Sequence, residues 1–82
     1  MPKFFVENLT DRPLKVAIKP WADLEVLAPK TRADFEYQEP GNVEFSVVEG
    51  GGVCVGIMSE LIKVMANGGE KTFKLPRGWE GQ

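Results

Sequence analysis

No histidine occurs among these 82 residues, and cysteine occurs once, at Cys54. Without an imidazole there is no side-chain base that titrates near neutral pH, no Ser/His or Cys/His dyad and no usual zinc ligand. A single cysteine closes no internal disulfide, which agrees with a reducing compartment. Cys54 also has no base or helix start nearby in sequence to activate it, so it reads as a small buried apolar residue. No apolar run approaches the roughly 18 residues that a membrane helix requires. The opening Met1-Pro2-Lys3-Phe4-Phe5-Val6-Glu7 carries one lysine and an apolar stretch shorter than the core of a signal peptide. A cytoplasmic protein without membrane contact is the expectation. Ten basic and twelve acidic residues, net −2, are mixed along the chain. They leave no positive stripe for a phosphate backbone, so nucleic acid is not the expected partner.

What the chain does have is a beat. About eight short runs of alternating apolar residues, separated by Pro, Gly, Asn or Asp, give the pattern of an all-β sandwich or small barrel of seven to eight short antiparallel strands. The length allows one domain, placed at 1–75, with a tail at 76–82. A chain this short buries only about 60 to 65% of its unfolded surface, so self-association is a natural source of extra stability.

Phe4 and Val6 alternate with Phe5 and Glu7, and Thr10-Asp11-Arg12-Pro13 closes that run in a turn. Leu14, Val16 and Ile18 then alternate with Lys15, Ala17 and Lys19, one face apolar and one largely charged. Pro20-Trp21-Ala22-Asp23 interrupts, and the alternation resumes with Leu24 and Val26 as the core positions and Asp23, Glu25 and Leu27 opposite. A turn at Ala28-Pro29-Lys30-Thr31 leads to Ala33, Phe35 and Tyr37, set against Arg32, Asp34 and Glu36. After Glu39-Pro40-Gly41-Asn42 come Val43, Phe45 and Val47, alternating with Glu44 and Ser46, until Glu49-Gly50-Gly51-Gly52 breaks the run. Val53, Val55 and Ile57 alternate with Cys54, Gly56 and Met58. That segment is apolar on nearly both faces, which places it inside a sheet or under a partner subunit. Connections of two to six residues imply antiparallel pairing throughout.

Residues 59–68 admit two readings. Ser59 can cap a short helix with Leu61, Ile62, Met65 and Ala66 on one face. Alternatively Ile62, Val64 and Ala66 form a strand, with Asn67-Gly68 as a two-residue hairpin turn into 70–75. A helix of about eight residues is too short for propensity to decide, and the strand is favoured. Pro76–Gln82 has no periodicity and reads as a tail, frayed unless Trp79 docks.

Chemistry-bearing motifs are sparse. Glu25, Asp34, Glu36 and Glu44 sit on polar strand faces, where solvation is the ordinary role, and no loop gathers a calcium-like oxygen set. Gly50-Gly51-Gly52 lacks the Lys, the Ser/Thr and the helix of a phosphate loop. Lys63, Lys71 and Lys74 have no catalytic spacing. Asn8-Leu9-Thr10 matches a glycosylation sequon, read as chance in the absence of a secretory route. Trp21, beside Pro20 at a strand break, either caps one end of the core or joins Tyr37 and Trp79 in an aromatic platform for a sugar or peptide.

Glu7-Asn8-Leu9-Thr10-Asp11-Arg12-Pro13-Leu14-Lys15-Val16, followed by Ile18-Lys19-Pro20-Trp21, resembles the opening of a group of small bacterial β-sandwich proteins to which no activity is assigned. That group shares an Asn-x-Thr/Ser-x-Arg-Pro-Leu turn, a strand ending in Glu-Pro-Trp, a Leu-x-Pro-Gly turn and a later Gly-Gly-Val strand. Here Lys19 stands where Glu is common and Lys30 where Gly is frequent. The resemblance implies a compact β fold and no particular activity. The combined expectation is a non-catalytic interaction or assembly module, without cofactor or metal. Its partner is a second copy or another protein, and Val53, Val55 and Met58, with Trp21, Tyr37 and Trp79, are the candidate contacts. The alternative is a carbohydrate-like ligand module built on Trp21 and Tyr37.

Overall fold

A computed structural model describes residues 1–74, which form eight strands and no helix. They are β1 (Lys3–Glu7), β2 (Leu14–Lys19), β3 (Asp23–Leu27), β4 (Arg32–Tyr37), β5 (Asn42–Val47), β6 (Val53–Met58), β7 (Leu61–Ala66) and β8 (Gly69–Lys74). Two four-stranded sheets, in the orders β1-β4-β7-β8 and β3-β2-β6-β5, pack as an open sandwich. Neither closes into a barrel. Among the described residues no helix is long and apolar enough to cross a membrane. The proposed tail, including Trp79, lies outside the described residues.

The chain reverses at every connection, so odd and even strands run in opposite senses. Ladders between one odd and one even strand are therefore antiparallel, as in β1–β4, β4–β7, β7–β8, β2–β3 and β5–β6. β2 and β6 are both even, and they pair in parallel, with Ile18 opposite Val55. The expectation of antiparallel pairing throughout is thus corrected. A parallel neighbour needs a long crossover, and here strands supply it: β3 and β5 lie in the same sheet as β2, while β4 lies in the opposite one.

The core is Val16, Ile18, Leu27, Val55 and Ile57 from one sheet and Ala33, Phe35, Ile62 and Val64 from the other, none more than 1% exposed. Phe4 stacks on Phe35 with ring centroids 4.7 Å apart and planes within 4°. Residues 61–66 are a strand, with Ile62 and Val64 buried, and the helical alternative is set aside. Ser59 turns the corner instead: its Oγ donates to the Gln38 carbonyl at 2.6 Å. Asn67 and Gly68, at φ 53° and 76°, form the tight hairpin between β7 and β8.

β3 departs from the pattern read in the sequence. Leu24 and Val26 point outward, 52% and 44% exposed, whereas Glu25 and Leu27 point into the sandwich. Register explains the reversal, since Glu25 lies opposite buried Val16, and Leu27 opposite Leu14. Residues directly opposite in a sheet share a face.

Asn8 is a fixed point rather than a sugar acceptor. It is 1% exposed. Its Nδ2 donates to the carbonyls of Arg12 at 2.7 Å and Leu27 at 3.0 Å, and its Oδ1 accepts from Thr10 N at 3.0 Å and Thr10 Oγ1 at 2.7 Å. Its backbone joins the Ala28–Thr31 turn through Asn8 N to Thr31 O and Lys30 N to Asn8 O. The Asn-x-Thr-x-Arg run is therefore a self-bonded loop that fastens β1–β2 to β3–β4. In the latter turn Thr31 N donates to Ala28 O, and Lys30 holds φ 63° at the position where a type II turn favours glycine.

Candidate functional site

The two long sides of the sandwich are built differently. On one side edge strand β3 faces edge strand β8, and on the other β5 faces β1.

The β3–β8 side is clasped by charge. Glu25, 7% exposed, points inward because β3 register requires it, and Lys71 points inward from β8 because it lies opposite buried Val64. Lys71 Nζ reaches Glu25 Oε2 at 2.5 Å and Asp23 Oδ2 at 3.1 Å, and Asn67 Nδ2 donates to Glu25 Oε1 at 3.2 Å. Glu25 therefore has a partner on each oxygen, which is the condition for carrying a carboxylate into a sandwich. The hydrogen bond to Glu25, and next that to Asp23, raises the Lys71 pKa above its ordinary 10.5. The placement of Glu25 on a solvated face is corrected accordingly. Neither Glu25 nor Lys71 stood out in the sequence as a pair, because they are 46 residues apart and each reads as an ordinary polar strand position.

Trp21 extends this clasp. It is half-buried and packs against Phe73 with centroids 5.2 Å apart, while its Nε1 donates to the Lys74 carbonyl at 3.4 Å. Tyr37 lies elsewhere, on β4, with its ring 6.2 Å from Phe4. Among the described residues no aromatic pair joins Trp21 to Tyr37. Trp79, the third member of the candidate platform, falls outside them.

Among the described residues the β5–β1 side is open. Val43, Phe45 and Val47 lie on the core-facing side of β5, opposite Ile57, Val55 and Val53, as the alternation predicts. The layer beneath them ends too soon. Phe45 makes an edge-on contact with Phe4 at 5.5 Å yet stays 57% exposed, and Val47 is 81% exposed. Glu44 is the one charge inside this strand. An apolar edge without Lys, Pro or a bulge is the kind that pairs with another strand.

β6 accounts for the remaining candidate contacts. It lies inside its sheet between β2 and β5, so Val55 is fully buried and Val53 partly so. Its outward residues are Cys54, Gly56 and Met58, of which Met58 is 40% exposed. The sequence placed the unsatisfied apolar surface on this strand. In the structure the larger share lies on its neighbour β5.

The outer face of the other sheet is laced with charge. Lys3 lies 3.5 Å from Glu36, Arg32 lies 3.2 Å from Asp34, and the Arg32 guanidinium sits 4.7 Å above the Phe5 ring. Such exposed pairs solvate the face and add little stability. No protein-family profile matches the chain, and no curated protein or solved structure matches it.

Proposed function

We propose that this protein is a non-catalytic assembly module whose partner is a second copy of itself, docked through the open β5 side of the sandwich. The observation that carries this reading is Val47, 81% exposed beside Phe45 at 57% on a strand whose outer edge is unpaired among the described residues. An edge of this kind exposes both apolar side chains and a row of free backbone N–H and C=O groups. The opposite side supports the contrast, because there the Asp23–Glu25–Lys71 clasp and the Trp21–Phe73 contact occupy the gap between sheets. The ligand-module alternative gains no comparable support, since Trp21 is engaged with Phe73 and its indole N–H is bonded.

Sedimentation velocity at increasing protein concentration tests the proposal. A dimer forming in the micromolar range, lost on Phe45→Lys while the circular dichroism stays that of a β protein, is the expected result. A monomer at all concentrations up to several hundred micromolar overturns it.

A further inference from the structure

The free edge of β5 carries enough information to specify how two copies meet. Val48 N donates to Gly52 O at 2.9 Å, at the mouth of the β5–β6 hairpin. In an antiparallel ladder, residues whose N–H and C=O point at the partner alternate with residues whose groups point away. Val48, Ser46, Glu44 and Asn42 therefore face β6. The N–H and C=O groups of Val43, Phe45 and Val47 face outward along the edge. These same three residues turn their side chains toward the core side, opposite Ile57, Val55 and Val53.

We propose that two copies join by antiparallel β5–β5 pairing about a two-fold axis through Phe45, fusing their sheets into one continuous eight-stranded sheet; the inference rests on the self-association reading above. In this register Phe45 lies opposite Phe45 of the second copy, and Val43 opposite Val47. All three outward-facing residues of each strand then pair with their counterparts, giving six inter-copy hydrogen bonds by the alternation of the ladder. On the core side every pair is apolar. On the outer side Glu44 meets Ser46, so no like charges are opposed.

Neighbouring registers are poorer. Shifting the axis to Glu44 sets Glu44 against Glu44, which destabilises a cross-strand pair, and leaves Val47 beyond the partner strand. Shifting it to Ser46 places Val43 against Glu49 on the apolar side and Glu44 against Val48 on the other. An odd slip brings side chains to opposite faces and mismatches the outward-facing groups. The Phe45-centred register is the one that satisfies hydrogen bonding, apolar matching and charge together.

Disulfide trapping reads the register directly. Cys54 lies across from Ser46 on β6 and is first replaced, Cys54→Ala, to remove an internal partner. In that background Glu44→Cys and Ser46→Cys are made separately, one copy carrying a size tag. The 44/46 pair is non-hydrogen-bonded, with a Cα separation of about 4.5 Å that suits a disulfide. After mild oxidation with oxidised glutathione, the mixture of the two variants is expected to form covalent dimer at least tenfold faster than either variant alone. Dominant cross-linking of Glu44→Cys alone, or of Ser46→Cys alone, overturns this register in favour of the one centred on that residue. Dimers in sedimentation without any cross-link place the interface on another surface. Absence of dimers from the parent protein overturns the self-association reading itself.

Discussion

At the scale of single residues, the polar side chains that matter most are the ones the sandwich has enclosed. Asn8 shows the logic: its Nδ2 donates to the Arg12 carbonyl in its own loop and to the Leu27 carbonyl at the end of β3, and its Oδ1 accepts from Thr10, so both halves of the amide are used. Asn8→Ala leaves several buried backbone groups unpaired and is expected to cost about 2 to 4 kcal/mol. Asn8→Asp is expected to be at least as damaging, because a carboxylate cannot donate and would face the Arg12 and Leu27 carbonyls. Urea titration of both variants checks the size and the order; a cost under about 0.5 kcal/mol for Asn8→Ala would show that the loop repacks around water. Lys71 makes a different prediction. Its folded pKa is raised by Glu25 and then Asp23, so its contribution is fully present below the ordinary value of 10.5 and is lost as pH climbs through the higher folded value. The urea midpoint of the native protein is expected to fall more steeply above about pH 10.5 than that of Lys71→Met. Equal alkaline slopes in the two proteins would mean that the pair contributes nothing to folding. Removing Glu25 as well is expected to recover part of what Lys71→Met loses, since the single change leaves a buried carboxylate without its cation.

At the scale of elements, what could be seen in advance depended on how one-sided each strand is. β4 sets Ala33 and Phe35 against Arg32 and Asp34, and only one orientation puts the apolar set inside, which is the one observed. β7 follows the same contrast: with Asn67-Gly68 as a hairpin turn, Ile62 and Val64 match the inward face of β4. β3 is ambiguous by composition. Leu24 and Val26 compete with Leu27 for the core, and the balance is tipped by partners outside the strand: Leu14 opposite Leu27, and Lys71 with Asn67 receiving Glu25. No feature within five residues of β3 announces these. The orientation makes a sharp contrast measurable. Leu27→Ala, at a fully buried site, is expected to cost about 2 to 5 kcal/mol, whereas Leu24→Ala, 52% exposed, is expected to stay within about 1 kcal/mol. Denaturant midpoints of the two variants decide the matter, and a reversed order would restore the orientation that alternation alone favours. The candidate site was hidden for a related reason. β5 has the alternation of any half-buried strand, and its Phe45 and Val47 are exposed because strand order puts β5 at an edge that the opposite sheet reaches only in part, through the Phe4–Phe45 contact.

At the scale of the whole molecule, the sandwich combines a side closed by its own side chains with a side that is not. Small domains bury a modest fraction of their surface, so apolar area left on one flank is a large share of what stability they can gain. The proposed pairing of two copies across β5 would link folding to association: only folded chains would form the dimer, and mass action would then raise the apparent stability with concentration. For a chain of this length, unfolding entropy near the melting temperature converts each tenfold rise in concentration into about 3 to 5 °C for a dimer that dissociates as it unfolds. Differential scanning calorimetry from about 10 µM to 1 mM is therefore expected to show the native protein melting progressively higher, and Phe45→Lys melting at one temperature throughout. The clasped side supplies the control. Lys71→Met lowers the melting temperature from within the protomer, so its curve is expected to lie below that of the native protein while keeping the same concentration slope. If the native slope is flat, association does not contribute to stability; if Lys71→Met abolishes the slope, the two sides of the sandwich are coupled and the open edge depends on the clasp.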